Sequence, residues 1–270
     1  MEITQDQINA REALLSKCPI IGVWGESGAG KTTFMASIMD DPRYRKALFI
    51  DGDKGGETVA HLTDRPELCD YRQAKGANAH AAHQWLCREI AMAHKVPDIN
   101  AIVIEGIART YEDLVGEAFA TATPDKLSGY HLQKLYVVPS QLVKSIFAMV
   151  NNLQSQLQSQ GRAVPIFVTI NSKTARDDAA GKAWQVPAIS DSATKIVMAR
   201  ASAFVQIQRI GRNVSLLTDR DQNTDARKVR HHAAAQAIAK LRNPTAVTMI
   251  QTWADAIAND SAAVGEHLST

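Results

Sequence analysis

Residues 18–39 read CPIIGVWGESGAGKTTFMASIM, and three segments of different character follow one another in this stretch. Residues 18–24 form a short apolar run with several β-branched side chains, which predicts a buried strand. A glycine-rich turn follows at residues 25–33, and the apolar residues after it predict a helix. The order strand, loop, helix favours an α/β fold.

The glycine-rich turn is a complete match to the pattern G-x-x-x-x-G-K-[ST], which is typical of loops that bind nucleotide phosphates. Glycines let the backbone wrap phosphates without Cβ clashes, and the backbone N–H groups then face the anion. We expect Lys31 to reach the β- and γ-phosphates of ATP and Thr32 to bind Mg²⁺. The predicted phosphate loop consists of Gly25, Glu26, Ser27, Gly28, Ala29, Gly30, Lys31, Thr32 and Thr33. The alternative is a loop that has lost hydrolysis.

The rest of the chain continues to alternate short apolar strands with helical patterns. Strands are predicted within 47–51, 98–107, 164–171, 203–210 and 213–219, helices at 2–17, 79–95, 140–160, 231–241 and 245–258, and a polar loop at 172–195. Strands that are apolar on both sides belong to a sheet covered by helices on both faces. We therefore predict a doubly wound α/β fold, with a mostly parallel sheet and a C-terminal antiparallel hairpin.

Acidic residues follow two of the predicted strands. Asp51 and Asp53 stand at the end of the second strand, and Glu105 follows the apolar residues of the third. Because carboxyl ends of parallel strands share one edge of the sheet, we expect these side chains near the phosphate loop. Glu105 is predicted to hold Mg²⁺ through water together with Thr32, and Asp53 to activate the attacking water. The alternative for each is a carboxylate that only caps a turn.

The composition is that of an ordinary folded protein and excludes several classes. The chain has 270 residues, of which 45% are hydrophobic and 21% charged, so a mainly disordered protein is not expected. Three cysteines at irregular spacing argue against a disulfide framework and for a reducing compartment. No window approaches about 18 uninterrupted apolar residues, so no membrane span is predicted. We expect a cytoplasmic protein.

In the segments GESGAGKTT, ALFIDGDKGGET, AIVIEGI and IFVTIN, the chain resembles the RecA-like P-loop ATPases. It is most similar to the phage-encoded single-domain members, which include recombinases and single-strand annealing ATPases. The resemblance covers roughly residues 18–232 and divides the chain into an N-terminal helix (1–17), an ATPase core (18–232) and a C-terminal helical extension (233–270).

The resemblance implies roles for individual residues. It places the catalytic base on Asp53 and the Walker B acid on Glu105, where aspartate is more usual. The polar residue that senses the γ-phosphate falls on Asn171, and the loop that binds DNA falls on 172–195. Basic residues that reach the ATP of a neighbouring subunit fall on Arg227, Lys228 and Arg230. The resemblance thus implies a homo-oligomer, a ring or a filament, with ATP and Mg²⁺ as cofactors.

Basic residues concentrate in one part of the chain, although its net charge is only +2. Residues 195–242 contain ten Lys or Arg and three Asp, a net charge of +7, which indicates a basic face. In the loop before it, charge and an aromatic ring could combine to bind single-stranded DNA; the residues are Lys173, Arg176, Lys182 and Trp184. The alternative is a solvated basic face, with Trp184 covering the core.

A zinc site is a weaker interpretation of four other residues, which are Cys69, His80, His83 and Cys87. Helical spacing puts the last three on one side of a helix. The chain has no C-x-x-C pair, however, and structural zinc sites usually show tighter spacing.

Three functions remain open from the sequence. The first is an ATPase that assembles on single-stranded DNA for phage-type recombination or annealing, together with phage recombination proteins. The second is an assembly or adaptor protein whose oligomeric state ATP controls, acting on a protein partner. The third is a small-molecule kinase, which the missing arginine-rich lid disfavours.

Overall fold

A computed structural model describes residues 4–41, 46–52, 67, 69–74, 78–123, 129–177, 181–218 and 227–268. Within helices it gives the backbone alone for residues 129–131 and 261–268. Asp53, the predicted catalytic base, lies outside the described residues.

Helices and strands alternate through the described part of the chain. The helices are α1 (Gln5–Leu15), α2 (Lys31–Ala36), α3 (Ala79–Met92), α4 (Ile107–Ala120), α5 (Gly129–Ser159), α6 (Asp191–Arg200), α7 (His232–Ala239) and α8 (Ala246–Leu268). The strands are β1 (Ile20–Gly25), β2 (Ala47–Asp51), β3 (Cys69–Gln73), β4 (Ala101–Glu105), β5 (Ile166–Asp177), β6 (Lys182–Pro187), β7 (Ala203–Ile210), β8 (Asn213–Leu217) and β9 (Lys228–Val229). Short 3₁₀ turns follow α2 and α3.

The strands form one mixed sheet with the order β3-β2-β4-β5-β1-β7-β8, in which β6 pairs with β5 and β9 with β7. All pairings from β3 across to β7 are parallel. The pairings of β6, β8 and β9 are antiparallel. A mostly parallel sheet with antiparallel strands at its C-terminal end confirms the predicted α/β class.

The core has two parts, one on each face of the sheet. Alternate residues of β2 show the division, because Leu48 and Ile50 face one cluster and Phe49 faces the other. Helices α3 to α6 cover the first face, whereas α1, α2, α7 and α8 cover the second. The central strands are buried throughout, which explains their uninterrupted apolar sequences.

The prediction of a polar loop at 172–195 is wrong, because most of the described residues in this range form two strands and the start of a helix. Strand β5 continues to Asp177 and pairs with β6 as an antiparallel hairpin, and α6 begins at Asp191. This hairpin is half-exposed or exposed over most of its length, so it needs no apolar alternation to form its ladder. Its polar sequence therefore carried no strand signal.

Two further elements differ from the sequence prediction. Strand β3, CDYRQ, was not predicted, because it is half-buried at the edge of the sheet and lacks an apolar run. Helix α5 starts at Gly129 and contains Pro139, whereas the sequence predicted a helix that begins at residue 140, directly after this proline. A proline inside a helix removes one helical hydrogen bond, and residues 136–138 just before it are exposed.

The two ends of the described chain pack on the same side of the sheet. Thr4 caps α1 in a capping box with Gln7, and Leu14 and Leu15 join the cluster beneath α7 and α8. Helix α8 runs on to Leu268 instead of ending near residue 258. None of the helices in the described residues has the length and hydropathy that crossing a bilayer requires.

Candidate functional site

The phosphate loop joins β1 to α2 and depends on two glycines in left-handed backbone conformations. Gly28 has φ +78° and Gly30 has φ +94°, a region that other L-residues adopt at a cost. A Cβ atom built at either position meets nothing within 4 Å, so conformation and not crowding requires glycine here. The same open space provides a cradle that fits a phosphate chain against the start of α2.

Gly25 is required for a different reason, the close approach of strand β7. A Cβ atom on Gly25 would lie 2.4 Å from the carbonyl oxygen of Ile207, a distance that real Cβ atoms do not reach. The absence of a side chain therefore lets β1 and β7 pair tightly just before the loop leaves the sheet.

Lys31 is the first residue of α2 and is nine-tenths buried, with 8% of its surface exposed. Its Nζ donates to the carbonyl oxygens of Gly25 at 3.0 Å and Glu26 at 2.8 Å. These contacts hold the ammonium group across the mouth of the loop. A buried cation needs such partners, and it can also attract the polyphosphate of a nucleotide.

Thr32 and Glu105, the two residues predicted to hold Mg²⁺, are in direct contact. The Thr32 Oγ1 donates to the Glu105 Oε1 at 3.0 Å, and Glu105 ends β4 with 7% of its surface exposed. A hydroxyl beside a carboxylate is a donor set that suits Mg²⁺, which prefers oxygen ligands and retains several waters. The residues present thus fit a nucleotide with its metal ion.

A second carboxylate stands beside this pair. Asp51 ends β2, is paired in register with Glu105 and is 1% exposed. The hydroxyl of Tyr71, on β3, donates to the Asp51 Oδ2 at 2.6 Å. Sequence reasoning missed Tyr71, because β3 gave no strand signal that would have placed it next to Asp51.

Asn171 lies where β5 leaves the parallel sheet for the hairpin. It is paired in register with Gly25, at the entry to the phosphate loop, and its carbonyl oxygen accepts a hydrogen bond of 2.7 Å from the Ala188 N–H. The next residue, Ser172, has a buried hydroxyl without a hydrogen-bond partner among the described residues. The structure therefore places the backbone of Asn171 beside the first residue of the loop.

The β5–β6 hairpin separates the four DNA-binding candidates onto two faces. Directly opposed residues of an antiparallel pair share a face, and Trp184 opposes Ala175 while Lys182 opposes Asp177. Because side chains alternate along a strand, Lys173 lies on the face of Trp184 and Lys182, and Arg176 lies on the other. Lys173, Arg176 and Lys182 are exposed, and Trp184 is half-buried.

The three basic candidates for contact with a neighbouring subunit all bind groups of their own chain. Arg227 donates to the Gln206 Oε1 at 2.9 Å through its Nε. Lys228 donates to the Met198 carbonyl at 2.8 Å, and Arg230 donates to the carbonyls of residues 199–201. Lys228 and Arg230 thereby bind the carbonyls at the C-terminal end of α6, where cations are favoured.

Cavities lined by described residues adjoin the phosphate loop on its β7 side, and two of them bear on the site. The first, of about 320 Å³, lies at the loop apex; it is lined by residues 26–29, 206–209 and 211 and by Gln185 of the hairpin. The second, which we call the side cavity, has a volume of about 300 Å³. It is lined by Gly30, Thr33, Phe34, Ser37, Ile207, Arg209, Val214, Asn243, Pro244 and Thr245.

The four residues weighed as zinc ligands do not come together. Among the described residues, no group of three or more His, Cys, Asp or Glu side chains could hold a metal ion. His83 and Cys87 are neighbours, with 3.5 Å between Nε2 and Sγ, and burial lowers the pKa of His83. Cys69 lies on β3, where burial and then Asp70 raise the pKa of its thiol to about 11.

Comparison with known proteins adds little to the site. No protein-family model matches the chain, and no curated protein matches its sequence. A solved structure described as a prototypical ATPase from the type III secretion system of pathogenic bacteria matches with 14% identity and a TM-score of 0.47. The match covers 73% of this chain, which spans 55% of the length of that protein. The structure itself shows an α/β fold with a mostly parallel sheet and a glycine-rich loop that joins β1 to α2.

Proposed function

We propose that this protein binds ATP with Mg²⁺ and hydrolyses it. The contact between Thr32 and Glu105 beside the buried Lys31 carries this proposal, because it assembles a metal-binding pair and a phosphate-binding cation at the mouth of one loop. Mg²⁺, when bound, neutralises charge on the phosphates. Lys31 and the N–H groups of the loop bind the phosphates, Thr32 binds the ion, and Glu105 orients its water shell.

Activation of the attacking water is assigned to Asp53 within this proposal, on the resemblance stated above. Asp53 stands two positions after Asp51, the last residue of β2, and Asp51 is in register with Glu105. Asn171, in register with Gly25, is proposed to sense the γ-phosphate.

The β5–β6 hairpin is the proposed contact with single-stranded DNA. One face carries the ring of Trp184 with Lys173 and Lys182 along the same side, and an aromatic ring flanked by cations suits stacked bases joined by phosphates. The other face is turned toward the phosphate loop, since Gln185 lines the cavity at the loop apex. Recombination or annealing, with phage recombination proteins as partners, is the process we propose for this pair of sites.

Assembly into a ring or filament is also part of the proposal. Arg227, Lys228 or Arg230 would complete the site of a neighbour only after leaving the contacts that it makes within its own chain. We therefore expect assembly to break these contacts, which are the bond from Arg227 to Gln206 or the bonds from Lys228 and Arg230 to the last carbonyls of α6.

The test is the rate of ATP hydrolysis with and without single-stranded DNA, at low and at moderate salt. We expect DNA to raise the rate and added salt to reduce the effect, because phosphate contacts release counterions. Lys31→Ala should abolish the rate with and without DNA, whereas Lys17→Ala, an exposed lysine far from the loop, should not change it. A Lys31→Ala variant with normal hydrolysis would contradict the ATPase assignment.

An ATP-controlled adaptor that acts on a protein is the second candidate function. The exposed apolar side chains of Tyr136, Val137 and Val138 on α5 favour it, since such patches often bind proteins. A rate that depends on Lys31 but does not respond to DNA, together with oligomerisation driven by ATP, would support the adaptor.

A further inference from the structure

Three polar side chains lie side by side across neighbouring strands of the sheet. Tyr71 lies on β3, Asp51 ends β2 and Glu105 ends β4. Asp51 and Glu105 are paired in register, and the pair two positions earlier faces the cluster beneath α2. Because side chains alternate along a strand, Asp51 and Glu105 also point to the side of α2. Asp51 is therefore the next carboxylate after Glu105 on the side of the phosphate loop.

Strand β3 holds Tyr71 from both faces of the sheet. The Tyr71 ring packs against the cluster on the side of α2, and the next residue, Arg72, binds Glu89 of α3 at 3.0 Å on the opposite side. The Ala74 N–H donates to the Asp51 carbonyl at 2.8 Å and joins the end of β3 to β2. The Tyr71 hydroxyl, which donates to the Asp51 Oδ2 at 2.6 Å, therefore belongs to a firmly held side chain.

The backbone fixes the spacing between the two carboxylates. The Gly52 N–H donates to the Glu105 carbonyl at 3.0 Å, and a Cβ atom on Gly52 would lie 3.3 Å from that same oxygen. The two strands thus remain in contact up to their last residues, and neighbouring strands lie about 4.8 Å apart. A carboxylate that accepts from a metal-bound water lies about 4–5 Å from the ion, so both carboxylates can face the water shell of one Mg²⁺ ion.

The charges of this group favour a role beyond holding the edge strand. Asp51 is 1% exposed and Glu105 is 7% exposed, and two like charges in neighbouring buried positions repel each other. A tyrosine hydroxyl supplies a hydrogen bond but no positive charge. Lys31 brings one positive charge to the site, whereas the two carboxylates and a nucleotide bring several negative ones. A divalent cation compensates this excess.

We propose that Tyr71 is a positioning residue of the nucleotide site, which holds the Asp51 carboxylate so that Asp51 and Glu105 together face the water shell of the bound Mg²⁺ ion. Tyr71 acts through Asp51 and touches neither the ion nor the nucleotide. The inference rests on the proposed function, since it adds two residues to the metal-binding side of the same site.

The experiment measures how much Mg²⁺ the full chain needs to bind a non-hydrolysable ATP analogue. Fluorescence anisotropy of a labelled analogue at a series of Mg²⁺ concentrations gives a readout that does not depend on hydrolysis. We expect Tyr71→Phe to raise the Mg²⁺ concentration at half-maximal binding about 10-fold or more, the usual loss when the partner of a metal-binding group is removed. Tyr111→Phe, which removes a hydroxyl on the opposite face of the sheet, is the matched control and should not change it.

Asp51→Asn separates the charge of Asp51 from its contact with Tyr71. Asparagine keeps an oxygen that accepts from the Tyr71 hydroxyl, so the link between β3 and β2 is retained while the negative charge is lost. The Mg²⁺ requirement should rise by at least as much as in Tyr71→Phe. In the Asp51→Asn background, Tyr71→Phe should add little, because the two residues act as a unit. Urea denaturation shows whether each variant is folded.

The outcomes separate the two proposals. A native Mg²⁺ requirement in folded Asp51→Asn would limit the Tyr71–Asp51 contact to holding the edge strand and would overturn this inference alone. A native requirement in folded Tyr71→Phe would do the same. Failure of the native chain to bind the analogue at any Mg²⁺ concentration would overturn the proposed function and this inference with it.

Discussion

The Thr32 hydroxyl lies 3.0 Å from the Glu105 carboxylate and so joins the start of α2 to the end of β4. The two residues are 73 positions apart in the chain, and β5 separates their strands in the sheet. The Glu105 side chain thus reaches the hydroxyl directly, and the two groups that we propose to hold Mg²⁺ are already in contact.

Replacing Glu105 tests this pair. Glu105→Gln keeps the size of the side chain and an acceptor for Thr32 but removes the negative charge, so hydrolysis should fall about 100-fold to 1,000-fold, the usual loss for one electrostatic group. ATP binding should change little. Steady-state hydrolysis and equilibrium binding measure the two effects, and Glu12→Gln on the exposed side of α1 is the control. If Glu105→Gln hydrolyses ATP at the native rate, Glu105 takes no part in hydrolysis.

The two faces of the hairpin predict different effects on DNA binding. Trp184→Ala should weaken single-stranded DNA binding by about 1–3 kcal/mol, the usual value of one stacked base. Arg176→Ala, on the opposite face, should have a smaller effect, and Lys173→Ala should lower the salt dependence by about one phosphate contact. Fluorescence anisotropy with labelled oligonucleotides at several salt concentrations measures all three. An equal loss in Arg176→Ala and Trp184→Ala would contradict the assignment of faces.

The contact between Lys228 and α6 predicts a change in stability. Lys228→Met keeps the apolar stem but removes the donor to the Met198 carbonyl, so the free energy of unfolding should fall by about 1 kcal/mol. Urea denaturation measures the difference, with Lys195→Met on the exposed side of α6 as the control. If both variants unfold at the native urea concentration, the contact is not stabilising.

Burial of His83 predicts weaker stability in acid. Desolvation lowers the pKa of His83 from its usual 6.5, and this effect outweighs the hydrogen bond with Leu142, which raises it. The unfolded chain therefore binds a proton more readily, and the free energy of unfolding should decrease as the pH falls below about 6.5. Denaturation at a series of pH values should show a shallower decrease in His83→Gln. A steeper decrease in that variant would reverse the assigned direction.

The sequence predicted the parts of the fold that depend on local pattern. The buried parts of strands β1, β2, β4 and β5 are covered on both faces, so each appears in the sequence as a short uninterrupted run of apolar residues. The spacing of the residues from Gly25 to Thr32 identifies the phosphate loop. Strand β3 has neither signal, since its pairing with β2 is a long-range contact. For the same reason the contact between Tyr71 and Asp51 was beyond prediction.

The hairpin and the side cavity were missed for different physical reasons. Backbone hydrogen bonds between mostly polar residues hold the β5–β6 hairpin together. The amino-acid composition of these residues is that of a loop. The side cavity combines residues from α2, β7, β8 and the turn before α8, and no spacing rule connects segments so far apart. Pro139 also misled the prediction, because a proline usually marks the start of a helix rather than its interior.

Strand β5 crosses from the parallel sheet into the hairpin without a break. Its first half is fixed between β1 and β4, and its second half projects six residues beyond Asn171 to Asp177, roughly 20 Å at the rise of an extended strand. Because the backbone from Asn171 to Asp177 is one continuous strand, a tilt of about 6° at Asn171 would displace the hairpin tip by about 2 Å over that length.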